Sequence, residues 1–409
     1  MKSNRRIQRA VFAYCLIGAY FACAVTNLGA QEPETSVANA ASAEKISASQ
    51  IEELEADYQA KVKAWRETME ILSRTKVSYF DSTRDESLDL RDQWDRLKSE
   101  GQTHLEATIV AATNLFDAQE KPSPELADFM ARVAEKSIRA GFSAEAFRIG
   151  QKLVATYPDA KNFQFLTAMS AIRVNEFEIA KKFFDENSDL LADVEKKHTK
   201  LFESIGELVT EFEREEELRK LDVDLPLATF ETTKGIIKVE LFEDQAPETV
   251  AHFISLIEQG YYDGKVFHGV IQDLVVETGH PHFSLKPVTV DLNYGIVDEF
   301  DRENARYPFR GSLGLGNNGE PDSGNERFFF CIQPNPFLHG KNTVFGRVIE
   351  GMNVVDSITH TYQINEDGES EPIEEAQLDL IVKATVTRKR PDSEYKFKKL
   401  PRVTSEAPK

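Results

Sequence analysis

The chain has 409 residues, with 69 acidic against 49 basic side chains and a formal net charge of −20. Because binding to nucleic acid or to an anionic membrane needs clustered Lys and Arg, this acidity argues against both functions. Hydrophobic residues at 41% and aromatic residues at 10% are enough for packed cores, so the composition excludes a wholly disordered chain. The length predicts two or three domains.

The N-terminus has the pattern of a secretory signal peptide. A basic start is followed by an apolar run over 10–25 and then by a short segment that ends at Ala30. This pattern predicts a signal peptide over 1–30 that is cleaved after Ala30, and therefore an exported, periplasmic or secreted protein. The alternative is an uncleaved anchor in the membrane, although the apolar run is short for a full span.

Cysteine usage is sparse. Cys15 and Cys23 lie in the predicted signal peptide, which leaves Cys331. One thiol makes no intrachain disulfide. Because Phe330 and Ile332 flank it, we expect Cys331 to be a buried structural residue and not a nucleophile.

After a small, polar linker over 31–46, residues 47–220 have helical periodicity. Apolar residues of the first helix recur at spacings of three and four: Ile51, Leu54, Tyr58, Val62, Trp65, Met69 and Leu72. Ala146 and Ala180 lie 34 residues apart, which is the period of tetratricopeptide repeats. The region is therefore either weakly tetratricopeptide-like or an ordinary helical bundle. In both cases it offers a helical surface for a protein partner and contains no catalytic motif.

Beyond a boundary near 221–226 the pattern changes to β-structure. Alternation at period two on both sides of a Thr-Lys-Gly turn, within 229–242, predicts a hairpin. Pro247 near the start of an apolar stripe that stops at Gly260 predicts a helix. A second short helix is predicted over 352–359. Two helices among many short strands suggest a barrel with helical plugs, and a polar tail follows over 391–409.

Several motifs in this β-rich region follow one another in a fixed order: Ile237–Phe242, Ala246–Val250, Gly260–Gly264, Phe267-His268, Arg310–Gly319, Arg327–Phe330, Leu338–Lys341 and Val344–Val348. Together they resemble the cyclophilins, which are peptidyl-prolyl cis–trans isomerases (rotamases). The resemblance runs over residues 229–388. It implies a closed eight-stranded antiparallel barrel with two capping helices over 226–390. Together with the helical region, this predicts a multidomain α plus mostly β protein. The resemblance implies no cofactor.

The resemblance also implies a site for proline-containing peptides or unfolded protein clients. An X–Pro bond rotates slowly because amide resonance must be broken, a barrier of roughly 18–20 kcal/mol. A catalyst needs an apolar pocket for the proline and a donor to the prolyl nitrogen. Phe329 and Leu338 match the family's pocket residues, and Asn317 matches its peptide-gripping Asn, with Gly316 in place of the usual Ala.

This sequence departs from the family at other site positions. The donor Arg after Phe-His is Gly269, the Gln that orients it is Glu277, and the Gln of the Gln-Phe-Phe motif is Arg327. The remaining exchanges replace a Phe-Met pair, a Trp and a His: Leu274, Val275, Phe337 and Asn342. Removing one preorganised donor typically costs about 10²–10³ in rate. We therefore expect a poor isomerase with a weakened site.

Glu277 and Arg327 match positions that face each other across the family's groove. Both have changed from an amide to a charge, with opposite signs. We hypothesise that they form an ion pair in which Arg327 is a relocated donor, so that Arg327, Glu277 and Phe329 form the catalytic set. The alternative is that the pair only seals a disused groove.

Two histidine features are weaker candidates. His280 and His282 form an H-x-H pair that could bind a metal, but no third ligand is evident nearby, and we predict no metal. His268 belongs to the family's Phe-His signature, and we expect a structural hydrogen-bonding role for it.

Three functions of different classes remain open from the sequence. The first is an exported prolyl isomerase and folding helper. The second is a catalytically inactive, cyclophilin-like module that binds peptides. The third is a scaffold whose helices recruit a partner. None involves nucleic acid, and a membrane is involved only if the signal is uncleaved.

Overall fold

A computed structural model describes residues 46–81, 86–139, 142–187, 204–271, 274–287, 289–364, 370–373 and 378–402. The predicted signal peptide and all but the last residue of the predicted linker lie outside these ranges. The chain divides into two compact units after Leu166. Within the described part of the chain, no helix is both long and apolar enough to cross a membrane.

The first unit is helical. It contains α1 (Ala48–Asp81), α2 (Glu86–Ala118), α3 (Pro124–Arg139) and α4 (Ser143–Thr156), and α5 (Lys161–Arg173) begins in it. Helices α1 and α2 pack along each other, as do α3 and α4. Tyr58, Val62 and Leu72 of the predicted stripe are buried, so the period-3.6 pattern positions α1 as expected.

The second unit begins within α5. It contains α6 (Phe177–Glu186) and α7 (Ile205–Leu221) and continues into a sheet with α8 (Pro247–Glu258) and α9 (Met352–Ser357). The strands are β1 Leu227–Thr232, β2 Gly235–Leu241, β3 Gly269–Ile271, β4 Val275–Thr278, β5 Tyr294–Gly295, β6 Ser312–Leu315, β7 Phe328–Cys331, β8 Val344–Glu350, β9 Tyr362–Ile364, β10 Ser370–Pro372, β11 Ile381–Arg388 and β12 Leu400–Pro401. The predicted hairpin is β1–β2, and the predicted helices are α8 and α9.

Ten of the described strands form one sheet in the order β10-β9-β3-β4-β7-β6-β8-β2-β1-β11. Every pair in it is antiparallel except β3 with β9. The run from β3 to β11 is the predicted antiparallel sheet of eight strands, and β9 and β10 extend it at the β3 edge. The predicted closed barrel is corrected to an open sheet. The physical reason lies just before β3 and β11, where Val266 and Leu380 form an isolated bridge and not a ladder.

The sheet and α8 enclose an aromatic core. Phe230, Phe253, Phe328 and Phe345 are almost completely buried, and their rings contact one another at centroid distances of 4.8–6.2 Å. The buried carboxylate of Glu299 accepts hydrogen bonds from the first turn of α8, from the backbone N–H groups of Glu248 and Thr249. A carboxylate there also faces the positive end of the helix dipole.

Two flanking segments pack on this sheet domain. The side chain of Arg306 is fully buried and pairs with Glu215 of α7 at 3.0 Å and with Asp222 just beyond it. In the C-terminal segment, β12 pairs with β5, and Phe397 packs against His252. The described part of the predicted polar tail is thus held against the domain.

Candidate functional site

The apolar floor of the candidate groove is formed by neighbouring strands β4 and β7. Because side chains alternate along a strand, Phe329 and Cys331 point to the same face. With Val275 they form a buried cluster, against which Ile271, Leu274 and Leu338 pack. The Phe329 ring lies over Gly314, where an added Cβ would come within 2.2 Å of a ring atom. Phe337 is 49% exposed and is not part of this cluster.

The structure brings Glu277 and Arg327 together. Nη1 of Arg327 lies 3.0 Å from Oε1 of Glu277, and Nη2 donates to the backbone oxygen of Asn317 at 2.7 Å. The two side chains are 23% and 29% exposed, so the pair lies in a partly enclosed position. Burial raises the pKa of Glu277, and Arg327 opposes that shift. The predicted ion pair is therefore present.

Gly269 lies directly across the β3–β4 ladder from Glu277. An added Cβ at Gly269 would be 3.0 Å from Oε2 and 3.1 Å from Cβ of Glu277. The position where the family has its donor Arg is thus filled from the neighbouring strand by the Glu277 side chain, and is not the open space that a glycine suggests.

The remaining polar site residues form hydrogen bonds to the backbone of neighbouring segments. Nδ2 of Asn317 donates to the Lys341 oxygen at 2.7 Å, and Nδ2 of Asn342 donates to the Leu315 oxygen at 3.0 Å. The backbone N–H of Gly316 donates to the Arg327 oxygen at 2.8 Å. An added Cβ at Gly316 would be 2.9 Å from the Arg327 Cβ, so the glycine leaves room for that side chain.

His268 lies in an aromatic group beside the groove. Its ring stacks on Phe283 at 4.9 Å, with His280 at 5.5 Å. Burial is the main cause that lowers the pKa of His268 to about 4, and His280 adds to it. The ring is therefore neutral at pH 7, and it packs in the aromatic group. Among the described residues, no three His, Cys, Asp or Glu side chains are placed to hold a metal ion.

Sequence reasoning missed two parts of the floor, Ile271 and the ring-facing Gly314. The apolar neighbours Phe330 and Ile332 carried the signal for Cys331, which is buried as expected. Burial raises the pKa of its thiol to about 12, so the thiolate is not available. Ile271 and Gly314 had no such signal, because their roles depend on which strands lie next to each other.

Comparisons with known proteins match the sheet domain to a family. The family model described as cyclophilin type peptidyl-prolyl cis-trans isomerase/CLD matches residues 227–385. Peptidyl-prolyl cis-trans isomerase-like 1 of Emericella nidulans is 33% identical over 37% of this chain and 90% of its own length. Peptidyl-prolyl cis-trans isomerase ppi1 of Schizosaccharomyces pombe is 36% identical over 36% of this chain and 92% of its own. With nine-tenths of these relatives covered, the chain belongs to the cyclophilin-type peptidyl-prolyl isomerase family.

A solved structure, the cyclophilin type peptidyl-prolyl cis-trans isomerase of Cryptosporidium parvum, is 23% identical to this chain. The match covers 41% of this chain and 99% of that one, with a TM-score of 0.32.

Proposed function

We propose that this protein is a folding helper that isomerises X–Pro bonds with a weakened active site. The observation that carries the proposal is the position of Arg327 beside the apolar floor. Phe329 lies on the strand paired with Glu277, and Glu277 holds Arg327. An apolar floor with one convergent polar group is the usual form of a small binding site.

In this proposal the residues have separate roles in binding and in catalysis. The cluster of Val275, Phe329 and Leu338 receives the proline ring, which fixes the peptide without contributing charge. A guanidinium has five N–H donors, and the bonds to Glu277 and Asn317 use two of them. A further N–H of Arg327 donates to the prolyl nitrogen as that atom becomes pyramidal. The rate falls below that of a typical family member because position 269 supplies no donor.

An isomerisation assay on the purified chain tests this proposal, with a proline-limited refolding protein and a short peptide as substrates. We expect acceleration by the wild type, loss of it in Phe329→Ala, and a roughly 10²-fold loss of kcat/KM in Arg327→Ala. The matched control is Arg148→Ala, which removes an ion-paired arginine from the helical unit and should leave the rate unchanged. A wild type that accelerates neither substrate contradicts the proposal, and an unaffected Arg327→Ala rules out the relocated donor.

A second candidate, a peptide-binding module without catalysis, is favoured by a different observation. Both terminal nitrogens of Arg327 already have partners in the protein, and Glu277 fills the space beside Gly269. Calorimetry with a proline-containing peptide separates the two functions. A module binds the peptide in the wild type, loses binding in Phe329→Ala, and changes no isomerisation rate.

We also propose that the protein is exported. The basic start and the apolar run over 10–25 support this, with cleavage after Ala30. N-terminal sequencing of protein recovered from fractionated cells tests it. A mature N-terminus at Gln31 outside the cytoplasmic fraction is expected. Retention of residues 1–30 in a membrane fraction points instead to the uncleaved anchor.

A further inference from the structure

The loop that follows β6 contains the one Asn-Gly pair in the sequence, Asn318-Gly319. Both residues are exposed, and Gly319 has a φ of +87°. A Cβ built on Gly319 would find no atom within 4 Å, so the space around this glycine is open. Glycine hinders its own backbone nitrogen least, because it has no side chain and keeps its conformational freedom. The Gly319 nitrogen is therefore accessible to a reactive neighbour.

The side chain of Asn318 is folded forward, toward that nitrogen. The backbone N–H of Glu320 donates to Oδ1 of Asn318 at 3.1 Å. This is the Asx turn that an asparagine side chain forms with the backbone two residues further on. The turn directs the amide carbon Cγ over the Gly319 peptide. Closing a bond between Cγ and the Gly319 nitrogen would complete a succinimide ring.

The hydrogen bond from Glu320 also favours ring closure. When the Gly319 nitrogen attacks Cγ, negative charge develops on Oδ1, and a donor already directed at that oxygen stabilises it. One contact opposes the reaction, because the Gly319 N–H donates to Oδ1 of Asn317 at 3.2 Å. This bond must break first, and a typical hydrogen bond slows such a step by roughly fivefold.

We propose that Asn318 is a site of spontaneous deamidation through a succinimide. The Gly319 nitrogen gives its proton to water and bonds to Cγ. The bond from Cγ to Nδ2 breaks, and Nδ2 leaves as ammonia. A water molecule then opens the ring. Opening at Cγ gives aspartate at position 318, and opening at the main-chain carbonyl gives isoaspartate. The reaction consumes water, releases ammonia and needs no oxidant or enzyme.

Both products change the loop beside the candidate groove. Each adds a negative charge next to Glu320, and isoaspartate also adds a carbon atom to the main chain. The change falls directly after Asn317, whose backbone oxygen accepts from Arg327 and whose side chain donates to the Lys341 oxygen. The deamidation itself does not depend on isomerase activity, so it is tested without that assay.

The test is incubation of the purified full-length protein in mildly alkaline buffer, followed by peptide mapping with mass spectrometry. We expect conversion at position 318 to both aspartate and isoaspartate, at a rate within roughly tenfold of that of a free peptide with the sequence of 314–322. Asn293 is the internal control, because it is also exposed but precedes the buried Tyr294, and it should stay unchanged. Asn318→Gln is the matched variant, since its longer side chain would have to close a larger ring, and it should show no conversion.

Three results would overturn the proposal. The first is an intact Asn318 under conditions that convert the free peptide. The second is conversion to aspartate alone, because direct hydrolysis of the side-chain amide produces no isoaspartate. The third is a rate below the tenfold limit, toward the roughly 10³-fold reduction expected if only the unfolded fraction of the protein reacts. If Asn318→Gln does not fold, the comparison of the wild type with the free peptide decides alone.

Discussion

At the scale of single residues, four exchanged positions of the groove form one packing unit. Glu277 fills the space beside Gly269 and holds Arg327, while Gly316 leaves room for the Cβ of Arg327. An alanine at 316 would meet the Arg327 Cβ at 2.9 Å and its backbone oxygen at 3.2 Å. These positions are therefore coupled, and a single exchange toward the family pattern should be poorly accommodated.

Restoring the donor arginine should increase activity only in the right context. In Gly269→Arg alone, the new side chain meets Glu277 at 3.0–3.1 Å and competes with Arg327 for its carboxylate. Adding Glu277→Gln removes that competition, and we expect kcat/KM to rise by about 10²-fold over wild type, the value of one well-placed donor.

The control is Gly269→Lys with Glu277→Gln, which adds a positive charge without the planar guanidinium group. We expect a smaller rise in kcat/KM for this control. The measurement is kcat/KM for a short proline peptide. A folded Gly269→Arg, Glu277→Gln variant no faster than wild type would contradict the donor argument.

At the scale of elements, α7 is attached to the sheet domain by a buried ionic group. Arg306 pairs with Glu215 and Asp222, and Arg347 lies 3.2 Å from Asp222. Burial raises the pKa of Glu215 even beside these guanidinium groups. Such a group contributes little net stability when complete but is costly to break, because a lone buried charge remains.

Arg306→Met should therefore destabilise the protein by about 3 kcal/mol, the lower end for a broken buried pair, because Arg347 still faces Asp222. Lys220→Met on the same helix removes an exposed partner of Glu217 and should cost less than about 1 kcal/mol. Urea unfolding of both variants measures the difference. Equal midpoints would mean that the α7 contact adds no stability.

Local pattern predicted some of these elements and could not predict others. The β1–β2 hairpin and α8 follow from alternation, a turn and Pro247, which are all near in sequence. The Arg327–Glu277 pair followed from the family positions of the two charges. The contacts of Phe397 with His252 and of Arg306 with Glu215 join residues far apart in the sequence. The Lys-rich composition around Phe397 and the Glu-rich composition around Glu215 do not predict these contacts.

At the scale of the whole molecule, stability should depend on pH through buried neutral histidine. His252 packs between Tyr294 and Phe397, and burial lowers its pKa to about 4, with an opposing contribution from Asn325. The unfolded chain binds a proton near pH 6.5 and the folded chain does not, so stability is lost as pH falls below that value. Buried carboxyls with raised pKa, such as Glu215 and Asp356, act in the opposite direction.

Comparison with His252→Phe isolates the histidine. Between pH 7 and pH 5 the wild type should lose about 2 kcal/mol of unfolding free energy relative to this variant. Urea unfolding at both pH values measures it. Identical pH dependence in the two proteins would show that His252 is protonated in the folded state or titrates normally.

The position of β1 in the sheet has a consequence for how the protein is made. One edge of β1 pairs with β2, which follows within a few residues, but the other pairs with β11, about 150 residues later. During synthesis that second edge stays unpaired until β11 has left the ribosome. Ladders between such distant segments form slowly, and an unpaired edge can pair with another chain. A protein that we propose assists the folding of others therefore has a slow step in its own folding, during which it can aggregate.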